Sequence, residues 1–478
     1  MMAPSACRRA LKLLLGPLVF AITLLLPPPA VLSQPAWLVC GLAAWMMIWW
    51  ITEILPLAVT ALLPVVVLPL TGTLALAEAA EPYANPVVFL FLGGFVIALA
   101  IQSSGLHRRL AMAVVSLGGS RPDRLVAAIM AATALLSMWI SNTAATAILL
   151  PVALSVLALS QQDDGQTVSE RLAPALLIGV AFAANIGGMA TLIGTPPNAI
   201  LAAYLGEQHD IHLSFAGWMM IALPIALLLL LLAWWVLVRI CFPVGRQDLS
   251  GLAERFERQR QALGPWTPAE QRVAGVFVLA VLAWMSRPWL TTWLPGLDDA
   301  IVALAAAVLL FAMGSGGRDA EPLLRWEDTR QLPWGVLILI GGGLSLGLAV
   351  KESGLADTVA LGLEAVAAHP MPVLVVTVAA VAMLVSHVTS NTAAAATLIP
   401  IAAAVAVGQG ESALILAMPV ALAASCAFML PNATPPNAIV FGSNRLAVTQ
   451  MLKAGAVLSL LILALVAGGG LLTSWLAG

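Results

Sequence analysis

Two polar triplets, Ser141-Asn142-Thr143 and Ser390-Asn391-Thr392, interrupt long apolar stretches of the chain. Two further segments, Thr195-Pro196-Pro197-Asn198 and Thr434-Pro435-Pro436-Asn437, do the same. They offer hydroxyls, amides and helix starts in place of a nucleophile with its base. Ser, Asn and Thr are favoured helix N-caps, and alanine-rich sequence follows each triplet (Ala144-Ala145-Thr146 and Ala393-Ala394-Ala395), so each predicts a tip where one helix ends and another begins. In the other two segments Thr195 or Thr434 stands at an N-cap and proline follows at the first helical position. Four helix N-termini in apolar surroundings, each with unsatisfied N–H groups and a positive dipole end, suit an anion.

Basic residues are absent where an anion would most need them. No Lys or Arg occurs over 125–170 or 371–444. A dianion held there has no formal countercharge from the protein, and burying it uncompensated costs several kcal/mol per ion. Co-bound cations are the natural compensation, with hydroxyls, Asn amide carbonyls and backbone carbonyls freed by helix unwinding as their ligands. A single such triplet would be read as a hydrogen-bonding contact between helices, and a single Pro-Pro as a kink; their occurrence in pairs favours a site.

The elements that position these residues are membrane helices. Of the 478 residues, 61% are hydrophobic and 9% charged, with mean hydropathy +1.00, so the fold class is an all-α polytopic membrane protein. Nucleic acid is excluded as a partner, and the lipid bilayer is the expected surroundings. The apolar segments at 125–159 and 372–406 break at the triplets into arms of about 14–16 residues. At roughly 21–24 Å these are short for a ~30 Å core and are read as re-entrant hairpins. The segments 173–205 and 411–442, broken at the Thr-Pro-Pro-Asn motifs, are read as broken helices.

The motifs repeat in order. Gly93-Gly94 with Ser104-Gly105-Leu106 returns as Gly342-Gly343 with Ser353-Gly354-Leu355, 249 residues later, and the triplets stand at the same spacing. The Thr-Pro-Pro-Asn segments are 239 apart. With the N-terminus cytoplasmic and no net crossing at each hairpin, every Lys and Arg falls inside except Arg287 and Lys351. Arg108, Arg109, Arg121 and Arg124 follow the first glycine-bearing helix, whereas 355–372 contains no Lys or Arg. Equivalent segments therefore face opposite sides, as an inverted-topology repeat requires, with its site near the bilayer midplane. Two full crossings per hairpin would give the same parity. The expected division is a first repeat over 1–238, a cytoplasmic linker over 239–270 and a second repeat over 271–478. Residues 1–33, with Arg8, Arg9 and Lys12 ahead of an apolar run, resemble a signal peptide but are read as a retained first helix.

Several residues are read as structural. Cys7, Cys40, Cys241 and Cys426 are packing residues. Gly93-Gly94 and Gly341-Gly342-Gly343 mark close helix packing, since no P-loop Lys follows. His387 is read as an ordinary buried histidine rather than a proton site, and Asn432 has no assigned role. The chain lacks an HExxH motif, paired intramembrane aspartates and a Ser/His pair beyond His387, so an intramembrane enzyme is a distant alternative.

At the triplets, the Thr-Pro-Pro-Asn segments, the stretch Trp49–Pro64 and the stretch Pro333–Gly343, the chain resembles the divalent anion/sodium symporter family over nearly its whole length. That family includes bacterial dicarboxylate transporters and animal sodium-dicarboxylate and sodium-citrate carriers. The resemblance implies a homodimer of eleven-helix protomers, each with a scaffold and a transport domain that moves as an elevator. It also implies that Ser141, Asn142, Thr143, Ser390, Asn391 and Thr392 contact substrate carboxylates, with Thr195 and Thr434 nearby. One sodium site would use Ser137, Ser141, Asn142 and Gly194, and the other Ser386, Ser390, Asn391 and Ala433. The expected activity is sodium-driven movement of C4 dicarboxylates (succinate, malate, fumarate) across a bacterial inner membrane. Sodium-independent dicarboxylate exchange, or citrate or sulfate transport, are the alternatives.

Overall fold

The computed structural model describes residues 4–163, 166–245, 257–258, 260–316, 321–355, 358 and 369–477. Regular structure among them is helical, with one isolated bridge between Gly314 and Pro322. Nine helices among the described residues are long and apolar enough to cross a membrane, and five shorter apolar ones accompany them. Residues 246–256 and 259 of the expected linker lie outside the described residues.

The chain opens with α1 (Pro4–Leu25), α2 (Gln34–Thr52), α3 (Leu57–Thr60), α4 (Leu63–Leu70) and α5 (Leu76–Ala80). A 3-10 turn over Glu81–Ala84 then leads into α6 (Pro86–Ser103), which α7 (Leu106–Val115) follows. The first hairpin is α8 (Pro122–Ser137) with α9 (Asn142–Asp163). The first broken helix is α10 (Gln166–Met189) with α11 (Pro196–His209), and α12 (Phe215–Trp235) ends the half. The second half runs α13 (Pro268–Leu290), α14 (Asp299–Ala312), a 3-10 turn over Trp326–Gln331 and α15 (Trp334–Glu352). Its hairpin is α16 (Met371–Val388) with α17 (Asn391–Gly408), its broken helix α18 (Ala413–Ala424) with α19 (Pro435–Phe441), and α20 (Val448–Ala477) closes the chain.

Three of the four hairpin arms are longer than the sequence suggests, the four running to 16, 22, 18 and 18 residues. At 1.5 Å per residue they reach about 24–33 Å. The helices continue past their apolar runs into polar flanks such as Pro122-Asp123-Arg124. Arm length therefore does not separate re-entrant from spanning hairpins.

The halves interlock through glycine, reciprocally. A Cβ on Gly93 of α6 would fall within 2.6 Å of the Ala303 carbonyl in α14, and one on Gly342 of α15 would overlap the Ala61 carbonyl oxygen between α3 and α4. In a bilayer, where lipid is as apolar as leucine, such close backbone approach is what holds helices together. The Tyr83 hydroxyl donates to that same Ala61 carbonyl, and Ser345 donates to Ala79 O at 2.7 Å, completing the joint.

Burial separates inner from outer helices. The apolar window of α10 is 94% buried inside the protein, against 22% for α13, so α10 is enclosed by protein while α13 turns most of its residues outward. Small residues make the enclosure feasible: a Cβ at Gly187 would overlap the Ala134 backbone of α8. At one end of the molecule Arg109 bonds Glu270 at 2.6 Å and the carbonyls of Leu263, Gly264 and Pro265, while Glu270 forms a capping box with Thr267 at the start of α13. Asp123 pairs with Arg121, two residues before it, at 2.9 Å and with the distant Arg239 at 3.4 Å. At the far end of α13, Arg287 pairs with Asp298 and Asp299, and Asp299 caps α12 by accepting from Phe215 N at 2.7 Å.

Candidate functional site

The helix starts are where the residue types place them. Ser141 Oγ accepts from Ala144 N at 3.2 Å and Ser390 Oγ from Ala393 N at 3.1 Å, so each triplet opens with a serine cap. Thr195 and Thr434 are extended N-cap residues of α11 and α19; Thr434 Oγ1 accepts from Asn437 N at 3.3 Å, whereas Thr195 makes no side-chain cap bond.

The asparagine of each Thr-Pro-Pro-Asn motif fixes the unwound backbone before it. Asn198 Nδ2 donates to Gly188, Met189 and Thr191 carbonyls, and Asn437 Nδ2 to Ala427 and Leu430 carbonyls. Both asparagines are fully buried, and the Oδ1 of each lacks a partner. Such orphaned oxygens are acceptors available to a cation or an ordered water.

Packing crosses between halves. The second arm of each hairpin lies against the short helix of the other half's broken pair: α9 against α19, and α17 against α11. The first triplet is linked to the second Thr-Pro-Pro-Asn segment through Asn185, which bonds both Asn142 and Thr434. Solvent reaches the tips: Ser141 and Thr143 are exposed, and Asn142, Ser390, Asn391 and Thr392 are half-buried.

Beside each tip three oxygens converge with one hydrogen among them. Ser137 Oγ lies 2.6 Å from Asn142 Oδ1 and 2.6 Å from Ala184 O. Ser386 Oγ lies 2.8 Å from Asn391 Oδ1 and 2.6 Å from Ala424 O. A serine hydroxyl donates once, so one acceptor in each trio is left facing lone pairs. That is unfavourable unless a positive charge is shared among them, which makes each trio a fit for a small cation. Gly194 belongs to the first trio's surroundings: a Cβ on Gly188 would overlap Asn142 Oδ1 and come within 3.1 Å of Gly194 O, so only glycine leaves both oxygens open. Ala433 is buried beside the Thr434 cap, and no polar contact ties it to the second trio. Among the described residues no group of three or more His, Cys, Asp or Glu could hold a metal; what the trios offer a cation is hydroxyl, amide and backbone carbonyl oxygens.

The sequence reading passed over Ala184, Ala424, Gly188 and Asn185. Backbone ligands carry no residue-type signal. Asn185, a fully buried amide within Ala-Ala-Asn-Ile-Gly-Gly, was a visible anomaly. His387 donates from Nδ1 to Met383 O at 2.6 Å and accepts at Nε2 from Met429 N at 3.0 Å, which defines a neutral ring that ties α16 to the second unwound segment. Asn432 is exposed. A separate cavity of about 750 Å³, lined in part by Asn85, Glu207, His212, Arg287, Asp298 and Asp299, lies at the Arg287 end and not at the tips.

A helical membrane bundle with paired, capped, oxygen-lined tips defines a membrane transport protein. Its particular family follows from comparison: the chain matches the model of the sodium:sulfate symporter transmembrane region over residues 8–477 and belongs to that family. It is 37% identical over 457 residues to a sodium-dependent dicarboxylate transporter, SdcS, of Staphylococcus saprophyticus, covering 94% of this chain and 88% of the relative. The SdcS of Staphylococcus aureus USA300 is 36% identical over 460 residues, covering 95% and 88%. Family and relatives are transporters, not enzymes. The fold is shared with two solved transporters. One is Alcanivorax borkumensis YdaH (TM-score 0.56, 15% identity, 82% of this chain and 86% of that one); the other is Neisseria gonorrhoeae MtrF (TM-score 0.55, 14% identity, 95% and 97%).

Proposed function

We propose that this protein is a sodium-coupled symporter of C4 dicarboxylates such as succinate, malate and fumarate. The observation that carries the reading is the pair of oxygen trios at Ser137 and Ser386, each beside a capped triplet, in a region without Lys or Arg. The substrate carboxylates bind at Ser141, Asn142 and Thr143 and at Ser390, Asn391 and Thr392, with Thr195 and Thr434 adjoining. Sodium occupies the first trio with Ser137, Ser141, Asn142 and Gly194, and the second with Ser386, Ser390, Asn391 and Ala433. The names of the SdcS relatives support both cargoes.

The ions replace basic side chains as counterions of the dianion. With more than two sodium ions per dianion, each net charge moved gains ~2.3 kcal/mol per 100 mV of membrane potential. The family resemblance supports an elevator motion of the hairpins and broken helices, two repeats over 1–238 and 271–478, a homodimer, and a cytoplasmic N-terminus in a bacterial plasma membrane. Uptake of radiolabelled succinate into proteoliposomes tests the function: an inward sodium gradient is expected to drive accumulation, and choline replacement to abolish it. Sodium-independent exchange of internal succinate for external dicarboxylate would establish an exchanger instead.

A further inference from the structure

We infer that Asn185 transmits cation occupancy at the Ser137 trio to Thr434 in the other half, and so couples sodium to substrate. The inference rests on the tips being substrate and sodium sites.

Asn185 is fully buried in α10, where an unpaired amide would cost about 1–3 kcal/mol. Its partners come from different halves: Asn142 Nδ2 donates to its Oδ1 at 3.4 Å, and its own Nδ2 donates to Thr434 Oγ1 at 3.1 Å. Thr434 Oγ1 also accepts from Asn437 N. Both lone pairs of that hydroxyl are then taken, and its one hydrogen is left to donate outward, to a carboxylate.

The direction of this chain is set at its far end. The single Ser137 hydrogen can serve Asn142 Oδ1 or the Ala184 carbonyl, each 2.6 Å away, but not both, so one close O···O contact is left without a hydrogen. A cation holds Asn142 in that orientation and sends its Nδ2 toward Asn185. Without one, the favourable arrangement is the turned amide, Nδ2 donating to Ser137 Oγ and Oδ1 facing Asn185. Asn185 then turns in step, its Oδ1 faces Thr434, and the Thr434 hydrogen is drawn inward, away from substrate. Each step turns a planar amide of nearly constant shape, so no backbone has to move.

The relay exists in one direction only. In the second half, Ser425 follows Ala424, whose carbonyl accepts from Ser386, and donates within its own helix to Ala421 O, and Thr195 has no side-chain cap bond. Sodium at the first trio therefore acts on substrate through Asn185, and sodium at the second does not use this route.

The test measures succinate affinity of the purified full-length protein across a sodium titration, and ²²Na⁺ binding without succinate. In Asn185→Leu, sodium alone should bind within about twofold of wild type, while the tightening of succinate by sodium falls about fivefold or more. Thr434→Val should show the same loss, the double variant no further loss, and Thr434→Ser should restore coupling. Undiminished tightening in Asn185→Leu, multiplicative losses in the double variant, or loss of sodium binding without succinate would each overturn the relay. Wild-type succinate binding indifferent to sodium would overturn the relay together with the reading beneath it. Should Asn185→Leu fail to fold, Asn185→Ser completes the same cycle with Thr434→Val.

Discussion

Gly341, Gly342 and Gly343 stand in a row on α15, yet a methyl group added to each should have a different outcome. At Gly342 the new Cβ would overlap the Ala61 carbonyl oxygen and meet its carbonyl carbon at 2.8 Å. Both sides of that contact are backbone, so relief requires α15 to move off the α3–α4 corner and breaks the Tyr83 bond to Ala61 O. At Gly343 nothing lies within 4 Å. Overpacking of this kind costs about 1–3 kcal/mol, whereas Ala in place of an open helical Gly gains up to ~1 kcal/mol. The two neighbouring variants should therefore differ by about 1–4 kcal/mol, or about 1–4 °C in unfolding midpoint for a chain of this length. Thermal unfolding of the purified variants in one detergent measures it, with Gly93→Ala, against Ala303, as the reciprocal check. Equal stability of Gly342→Ala and Gly343→Ala would refute the interlocking of the halves described above.

Other expectations concern the tips. Gly188→Ala should displace the Asn142 amide and raise the sodium concentration for half-maximal uptake about tenfold with unfolding unchanged, which sodium-dependence curves and thermal unfolding check together. His387→Leu should leave Met429 N–H without its acceptor, costing about 1–3 kcal/mol; a lowered unfolding midpoint with weaker sodium dependence is the expected reading, and unchanged values would deny the ring its role at the second unwound segment.

Much of this site could be read from residue types. Ser141, Ser390 and Thr434 are caps because a short hydroxyl side chain before alanine or proline has little else to do, and the paired motifs announced the repeat. What could not be read is whatever depends on which surfaces meet. The crossing of α9 with α19 and α17 with α11 is a tertiary choice, and the carbonyls of Ala184 and Ala424 are backbone atoms of residues chosen for smallness. Three of the hairpin arms run longer than their apolar runs because helical hydrogen bonding continues wherever polar side chains and solvent tolerate it. Gly188 carries no residue-type signal of its own and is clearance for Asn142. The pairings of Glu270 with Arg109 and of Asp123 with Arg239 could not be read, since those partners come from distant segments.

The central claim is that neutral oxygens at two equivalent tips hold the cations that stand in for basic side chains. The most direct measurement is the number of ²²Na⁺ ions bound per purified protomer at saturating succinate, for wild type, Asn142→Ala and Asn391→Ala. Each variant should bind one ion fewer than wild type and have weakened succinate binding. Wild-type sodium stoichiometry in both variants would contradict the claim.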